Sequence, residues 1–462
     1  MDTMTDRRDR TLHRLAGYVR ALRYEDLPPE VAHKAKALLL DTLGAILAGH
    51  GSAAARLARG LAGEARRPFA ASVIGCARLA APDRAAFANA IAARGVDTLD
   101  AYHRHGKVGH PADCIPPLLT TADYAQASGK ALIEATVIAY EIFCWLRDYF
   151  EHPGFDNTNC ARIGAAAGAA KLLGLDEKRI AACLSLAAVN ENVLKEVRSR
   201  PAAMTRETAA GYQARAAVFA ALLAAEGGRG SDRAFDGPAG WLRLVADGDY
   251  DTGTLGGAGR PFRMLDTWIK LRAIPGAAYP IVMATEKLAP IAEADQVDRI
   301  VLEVYGKLKK SFGTGAQRWS PDSRDTADHS APFIVSTILA NGALDLHAFD
   351  EDRIHDERVR SLMQKVEVEE CADFTAAYAD RHEHRARLTV FRTDGTCEVA
   401  ETGGDADDLS APKPDAQINK KFLMLAGPIL PDGQARDAVE RWWNLECVDD
   451  IAALLSGLLL QG

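Results

Sequence analysis

Eight cysteines are spread over 462 residues, and no two of them stand in a CxxC pair. Zinc ribbons and disulfide scaffolds depend on such spacing, so these thiols read as scattered reduced cysteines of a cytoplasmic protein. Long apolar runs are lacking too: stretches such as Ala216 to Ala225 stop well short of the roughly 18 residues needed to cross a bilayer. The opening MDTMTDRRDRTLHRL has no apolar h-region and does not read as a secretory signal. Basic charge is in deficit, with 55 Lys and Arg against 63 Asp and Glu and a net charge of -8. That balance argues against nucleic acid or an anionic membrane as partner, and it requires any anionic ligand to find a local basic pocket. GxGxxG, Walker, GxSxG and HExxH signatures are all absent. The glycine-rich run from Thr252 to Gly259 lacks the lysine and the strand-to-helix frame of a phosphate loop, and reads as a plain loop.

What is present is helical period. Between Leu12 and Leu288, alanine and leucine recur in amphipathic stretches separated by Gly, Pro and Asp clusters. Val31 to His50, Leu132 to Leu146, Ile163 to Leu173, Ile180 to Ala188 and Ala209 to Glu226 are predicted helices, and Gly164 with Gly168 allows close helix approach. After Pro275 the texture changes. A helix near Ile281 to Leu288, a strand at Asp298 to Tyr305, a helix from Thr326 to Leu339, and strands at Gln364 to Glu369, Ala386 to Phe391 and Cys397 to Ala400 predict an α+β region. Glu401 to Asn419 reads as a surface linker, followed by helical Phe422 to Leu460. The predicted fold is mainly α with a smaller α+β domain: a large helical domain from residues 1–275 and 411–462, and an α+β lid from 276–410.

The densest polar constellation is Asp97-Thr-Leu-Asp100-Ala-Tyr-His103-Arg-His105, continuing through His110-Pro-Ala-Asp113. Asp97 and Asp100 are spaced i, i+3 at the end of an apolar helix, and the loop that follows returns imidazoles nearby. Acids and histidines converging in this way make a candidate proton-transfer site. The plainer alternative is a capped surface loop with solvated His103 and His105, in which Asp113 or Cys114 caps the next helix. A metal held by His103 and His105, or by His382 and His384, is a weaker alternative, and His382 to Arg385 reads as a solvated charged turn. A second cluster, Arg324-Asp-Thr-Ala-Asp-His329-Ser330, leads into an apolar helix, with Ser323 or Thr326 as its cap. Positive charge gathers at Lys307, Lys309, Lys310 and Arg318, at Arg198, Arg200 and Arg206, and at Lys270 with Arg272.

Together these clusters resemble the MmgE/PrpD family along nearly the whole chain. The likeness rests on Leu39-Leu-Asp-Thr-Leu-Gly, Asp97-x-x-Asp100 with Gly109-His110-Pro111, Lys171 to Leu175, Ala209-Ala-Gly211, Lys270 to Pro275, Thr326-Ala-Asp-His-Ser330 and Ala340-Asn-Gly342. The resemblance implies a helical domain built from both chain ends, an α+β lid, a homodimer, and an active site between domains. It implies a lyase without cofactor or required metal, dehydrating a citrate-like hydroxy polycarboxylate; decarboxylation, epimerisation and a silent polycarboxylate-binding protein are the alternatives. His110, Asp97, Asp100 and Lys270 are then the catalytic candidates, and Arg206, Arg272, His103, His329 and Ser330 the substrate-binding ones. The chain departs from the family pattern at Ala101, at the loop before His110, at Asn157, at Arg206 and at Phe333, which points to a changed substrate or a changed step.

Overall fold

The computed structural model describes residues 9–104, 107–198, 204–248, 255–291, 293–404 and 408–460. Helices take 58% of the chain and strands 10%, so the fold is mainly α with a small α+β part. It divides into two compact units: residues 1–269 with 413–462, and residues 270–412.

The first unit is a helical bundle. Its long members are Pro29–Gly49, Pro82–Arg94, Ile115–Ala125, Gly129–Tyr149, Thr158–Leu172, Glu177–Val189 and Thr205–Ala225, joined from the C-terminal side by Asp415–Ala426, Gln434–Trp443 and Ile451–Ser456. Each expected helix is found, shifted by a few residues at its ends. Small residues set the closest approaches. A Cβ on Gly164 would sit 2.6 Å from the carbonyl oxygen of Ala139, and one on Gly168 would sit 2.5 Å from Leu118 and 2.8 Å from the Ala135 oxygen. The spacing therefore serves tight packing of Thr158–Leu172 on its neighbours. Asp415–Ala426 returns to cover Pro29–Gly49, with Phe422 and Leu425 lying over Gly44. At that contact Lys421 donates to the Asp41 carboxylate and, at 2.7 Å, to the Thr98 carbonyl; both charged side chains are 1% exposed.

The second unit carries a four-stranded sheet in the order Val366–Glu370, Val297–Val304, Ala386–Arg392, Cys397–Thr402. The first pair is parallel, with Ile300 opposite Val366, and the other two pairs are antiparallel. Val297–Val304 lies inside the sheet, paired on both edges, and buries Val297, Ile300, Val301, Leu302 and Val304. One expected helix is two: Arg324–Ala327 and Ala331–Asn341 are separated at Asp328 to Ser330, because Ser330 caps the second by accepting from the Phe333 amide at 3.1 Å. The expected linker is also shorter, since the last strand runs to Thr402 and helix resumes at Asp415. His384 is not in a solvated turn. It is 6% exposed, and its amide donates at 2.7 Å to Asp408, whose carboxyl that contact helps to hold down at about 2 despite burial.

Among the described residues no single helix is long and apolar enough to cross a membrane. Pro29–Gly49 and Ala53–Ala62 meet the combined requirement of length and apolar composition only together, and they are bent by 92°.

Candidate active site

The acid and histidine cluster does not sit on a helix end. Pro82–Arg94 stops at Gly95, where a Cβ would approach the Gly49 oxygen to 2.9 Å, so the crossing with the neighbouring helix leaves no room to continue. Asp97 therefore lies in a turn, half-buried, and Asp100 immediately precedes a strand. Ala101–Arg104 pairs with Lys107–Gly109 as a hairpin and with Thr267–Trp268 on its other edge. The expected loop is thus a small sheet that presents His110 at its exit.

Three anchors fix that exit. The Asp100 carboxylate accepts from the Ala112 amide at 2.9 Å. Arg147 and Asn157 each donate to the Val108 carbonyl at 3.1 Å, so the asparagine that departs from the family pattern braces the hairpin. Asp113 receives a two-pronged bond from Arg94, with Nε at 2.8 Å. Neither Asp113 nor Cys114 caps the following helix: a short 3-10 turn, Pro111–Cys114, leads directly into Ile115–Ala125. Arg94 also feels Asp97 and Asp156, and together these carboxylates outweigh the burial that opposes its charge.

His110 Nδ1 lies 2.7 Å from the main-chain oxygen of Asp100. A carbonyl only accepts, so Nδ1 carries the hydrogen and the neutral ring keeps its lone pair on Nε2. Asp100 itself is fully buried, and desolvation pushes its carboxyl up to about 7 against the Ala112 amide, the Tyr140 hydroxyl and the charge of Lys34. Lys34 was not singled out by the sequence. Burial lowers its pKa, Asp100 and Asp41 oppose that, and its Nζ donates at 2.7 Å to the Thr267 carbonyl. A signal for it existed: Lys34 and Asp41 are two helical turns apart on one face, and Asp41 interrupts the apolar run from Leu38 to Leu43.

A second acid group supports the hairpin from beneath. The Tyr102 hydroxyl donates to Asp148 at 2.7 Å, Arg263 Nε donates to the same carboxylate at 2.8 Å, and Glu141 accepts from the Gly256 and Met264 amides at 3.0 Å. Burial pushes Glu141 up to about 7. His103, on the strand, packs edge-on against Trp268 with ring centroids 5.2 Å apart. Arg206 is half-buried in the first turn of Thr205–Ala225. His105 and Arg200, and residues 252–254 of the glycine-rich run, lie outside the described residues.

The remaining candidates belong to the second unit. Lys270 is 1% exposed and donates to the Ile274 carbonyl at 3.2 Å. Arg272 forms a bidentate pair with Glu286, both contacts at 2.7 Å, which raises its pKa. The Ser330 hydroxyl caps its helix and donates to the Arg318 carbonyl. His329 Nδ1 pairs with Asp328, and its ring stacks on Phe312 at 4.9 Å. Among the described residues no three His, Cys, Asp or Glu side chains are grouped to hold a metal ion.

The chain thus combines a helical unit, an inserted α+β unit and a hairpin whose exit fixes one tautomer of His110 near the buried Asp100. The MmgE/PrpD N-terminal domain model matches residues 13–252 and the C-terminal domain model residues 276–445; the chain belongs to the MmgE/PrpD family. Its relatives include the 2-methylcitrate dehydratase of Escherichia coli K12, 27% identical over 62% of this chain and 63% of the relative. A cis-aconitate decarboxylase-like protein of Aspergillus oryzae is 23% identical over 96% of both chains, and human cis-aconitate decarboxylase is 23% identical over 96% of this chain and 93% of its own. The match to the E. coli dehydratase thus spans just under two thirds of that protein, whereas the decarboxylases match along nearly their whole length.

Proposed function

We propose that the chain is a lyase that dehydrates a citrate-like hydroxy polycarboxylate. The observation that carries this reading is the His110 Nδ1–H bond to the Asp100 carbonyl, which makes Nε2 the basic atom. In the proposed reaction Nε2 takes the proton from the carbon beside a carboxylate. The electron pair left behind becomes the carbon–carbon double bond and expels the hydroxyl from the adjacent carbon. The imidazolium then protonates the departing oxygen, so water leaves and the ring returns to its starting state. Asp100 positions the loop through the Ala112 amide, and Asp97 is the partner of the imidazole.

A second reading, decarboxylation of cis-aconitate, is favoured by the relatives matched along nearly their whole length. There carbon dioxide leaves, and the protonated imidazole supplies the proton that takes its place. Proton NMR in deuterated, chelator-treated buffer separates the two. A new vinylic signal from 2-methylcitrate or citrate supports dehydration, and itaconate from cis-aconitate supports decarboxylation. No product from any of the three overturns both.

A further inference from the structure

The helical unit also carries a concave region to which none of the acid cluster's residues contribute. Arg56, Arg59 and Gly60 of the Ala53–Ala62 helix face Cys76, Ala77 and Arg78 of the loop between strands Ala71–Ser72 and Leu79–Ala80, and line a solvent-open concavity of about 460 Å³. Cys76 and Ala77 also wall a neighbouring cavity of about 530 Å³, whose other lining includes Leu47, Ile429, Leu459 and Leu460 with His50. One end of this cleft is cationic and the other apolar, and each part is of the size that takes a small molecule.

The cations are held in place without counter-charge. Arg56 donates to the Gly51 carbonyl at 2.7 Å, Arg78 to the Arg59 carbonyl at 2.8 Å, and Arg59 to the His50 carbonyl. Among the described residues none of the three forms an ion pair. A guanidinium has about five N–H donors, so one carbonyl leaves most of its hydrogen-bonding capacity unused. Burial, with repulsion from Arg56 and Arg78, lowers the pKa of Arg59. Burial and Arg59 likewise push His50 down to about 4, so its ring is a neutral polar wall at pH 7. Elsewhere in this unit Arg94 meets Asp113 and Arg198 meets Asp156, whereas buried Arg162 is held by carbonyl and amide oxygens such as those of Ala187, Gln213 and Asn192. Three guanidiniums around one concavity, with no carboxylate paired to them among the described residues, can be matched by an oxyanion from outside the chain.

We propose that this cleft binds an amphiphilic organic anion, with a phosphate or carboxylate head among Arg56, Arg59 and Arg78 and a short alkyl portion against Leu47, Ile429, Leu459 and Leu460. The site is independent of the reaction proposed above and stands whether or not that reading holds.

Titration calorimetry on the full chain tests it with hexyl phosphate, hexanoate, inorganic phosphate and hexanol. Hexyl phosphate or hexanoate is expected to bind saturably, inorganic phosphate more weakly, and hexanol not at all. The tighter of the two amphiphiles identifies the head group. The double variant R56Q/R78Q changes two exposed side chains and should raise the dissociation constant at least about tenfold. Leu459→Ser should weaken hexyl phosphate while leaving inorganic phosphate unchanged, and added salt should weaken every anion. Failure of both amphiphiles to bind, equal binding of hexanol, or unchanged affinity in R56Q/R78Q overturns the proposal.

Discussion

The hairpin region and the segment from Lys270 to Glu286 carry similar residue types in opposite states. At the hairpin, Asp100 is held by an amide and stays close to the point of taking or losing a proton near neutral pH, while His110 is locked into one tautomer. In the other segment Arg272 is already matched oxygen for nitrogen by Glu286, and Ser330 further along spends its hydroxyl on a cap and a carbonyl. Chemistry needs groups whose preferred partner is missing or mismatched; structural stability needs the reverse. The contrast supports the proposal that the hairpin is the seat of the reaction and that Arg272 braces its own unit.

The strongest test of that contrast is His110→Ala. It should lower turnover of the substrate found by NMR by about 10² to 10⁴-fold while circular dichroism and melting stay close to wild type, as removal of a general acid-base does. Next in size, Arg94→Ala leaves Asp113 buried and uncompensated, and should cost about 3 to 5 kcal/mol in urea unfolding; a neutral result would mean that the hairpin exit is not pinned there.

Asp100 offers a pH signature. Its carboxyl moves from 3.8 to about 7, so over that window the folded chain holds a proton that the unfolded chain has lost. Stability then falls as pH rises from about 4 to about 7, and Glu141, moved from 4.5 to about 7, acts in the same direction. Asp100→Asn should match wild type at pH 4 and exceed it above pH 7, by up to ~4 kcal/mol for a shift of this size, leaving the shallower slope of Glu141. Parallel denaturation curves of the two proteins from pH 4 to 8 would refute the assignment.

Smaller effects sharpen the other half of the comparison. Glu286→Gln loosens Arg272. If that guanidinium is a brace, melting drops slightly and KM is unchanged; a lower KM would show it to be a substrate clamp. Ser330→Ala should cost about 1 kcal/mol as the loss of a helix cap, with kcat retained.

Much of the architecture is legible because periodicity survives translation into three dimensions: the five helices expected in the first unit and the strands expected in the second lie where alternation and 3.6-residue spacing put them. The errors are local and have identifiable causes. Asp97 and Asp100 were read onto a helix that Gly95 ends, although the glycine was visible; what was not visible was Gly49 pressed against it from another helix. Thr326 to Leu339 was read as one helix because its composition is uniform, while the break depends on Ser330 turning its hydroxyl back onto the Phe333 amide. The candidate site was legible as a cluster of residue types. Lys34 is marked in the sequence only by its spacing to Asp41, and Tyr140 by nothing, because what matters about them is that they converge on Asp100 from helices that are remote in sequence.

The Lys421 to Asp41 pair has a consequence for how the protein comes to exist. Its partners are 380 residues apart, and the second unit is encoded between them. On a ribosome, Asp41 and the apolar face around Gly44 are synthesised long before the helix that neutralises and covers them. The inserted unit, by contrast, is complete before that helix emerges. The nascent bundle must therefore wait, with one buried-type carboxylate and one seam open to water, until the whole inserted unit has been read.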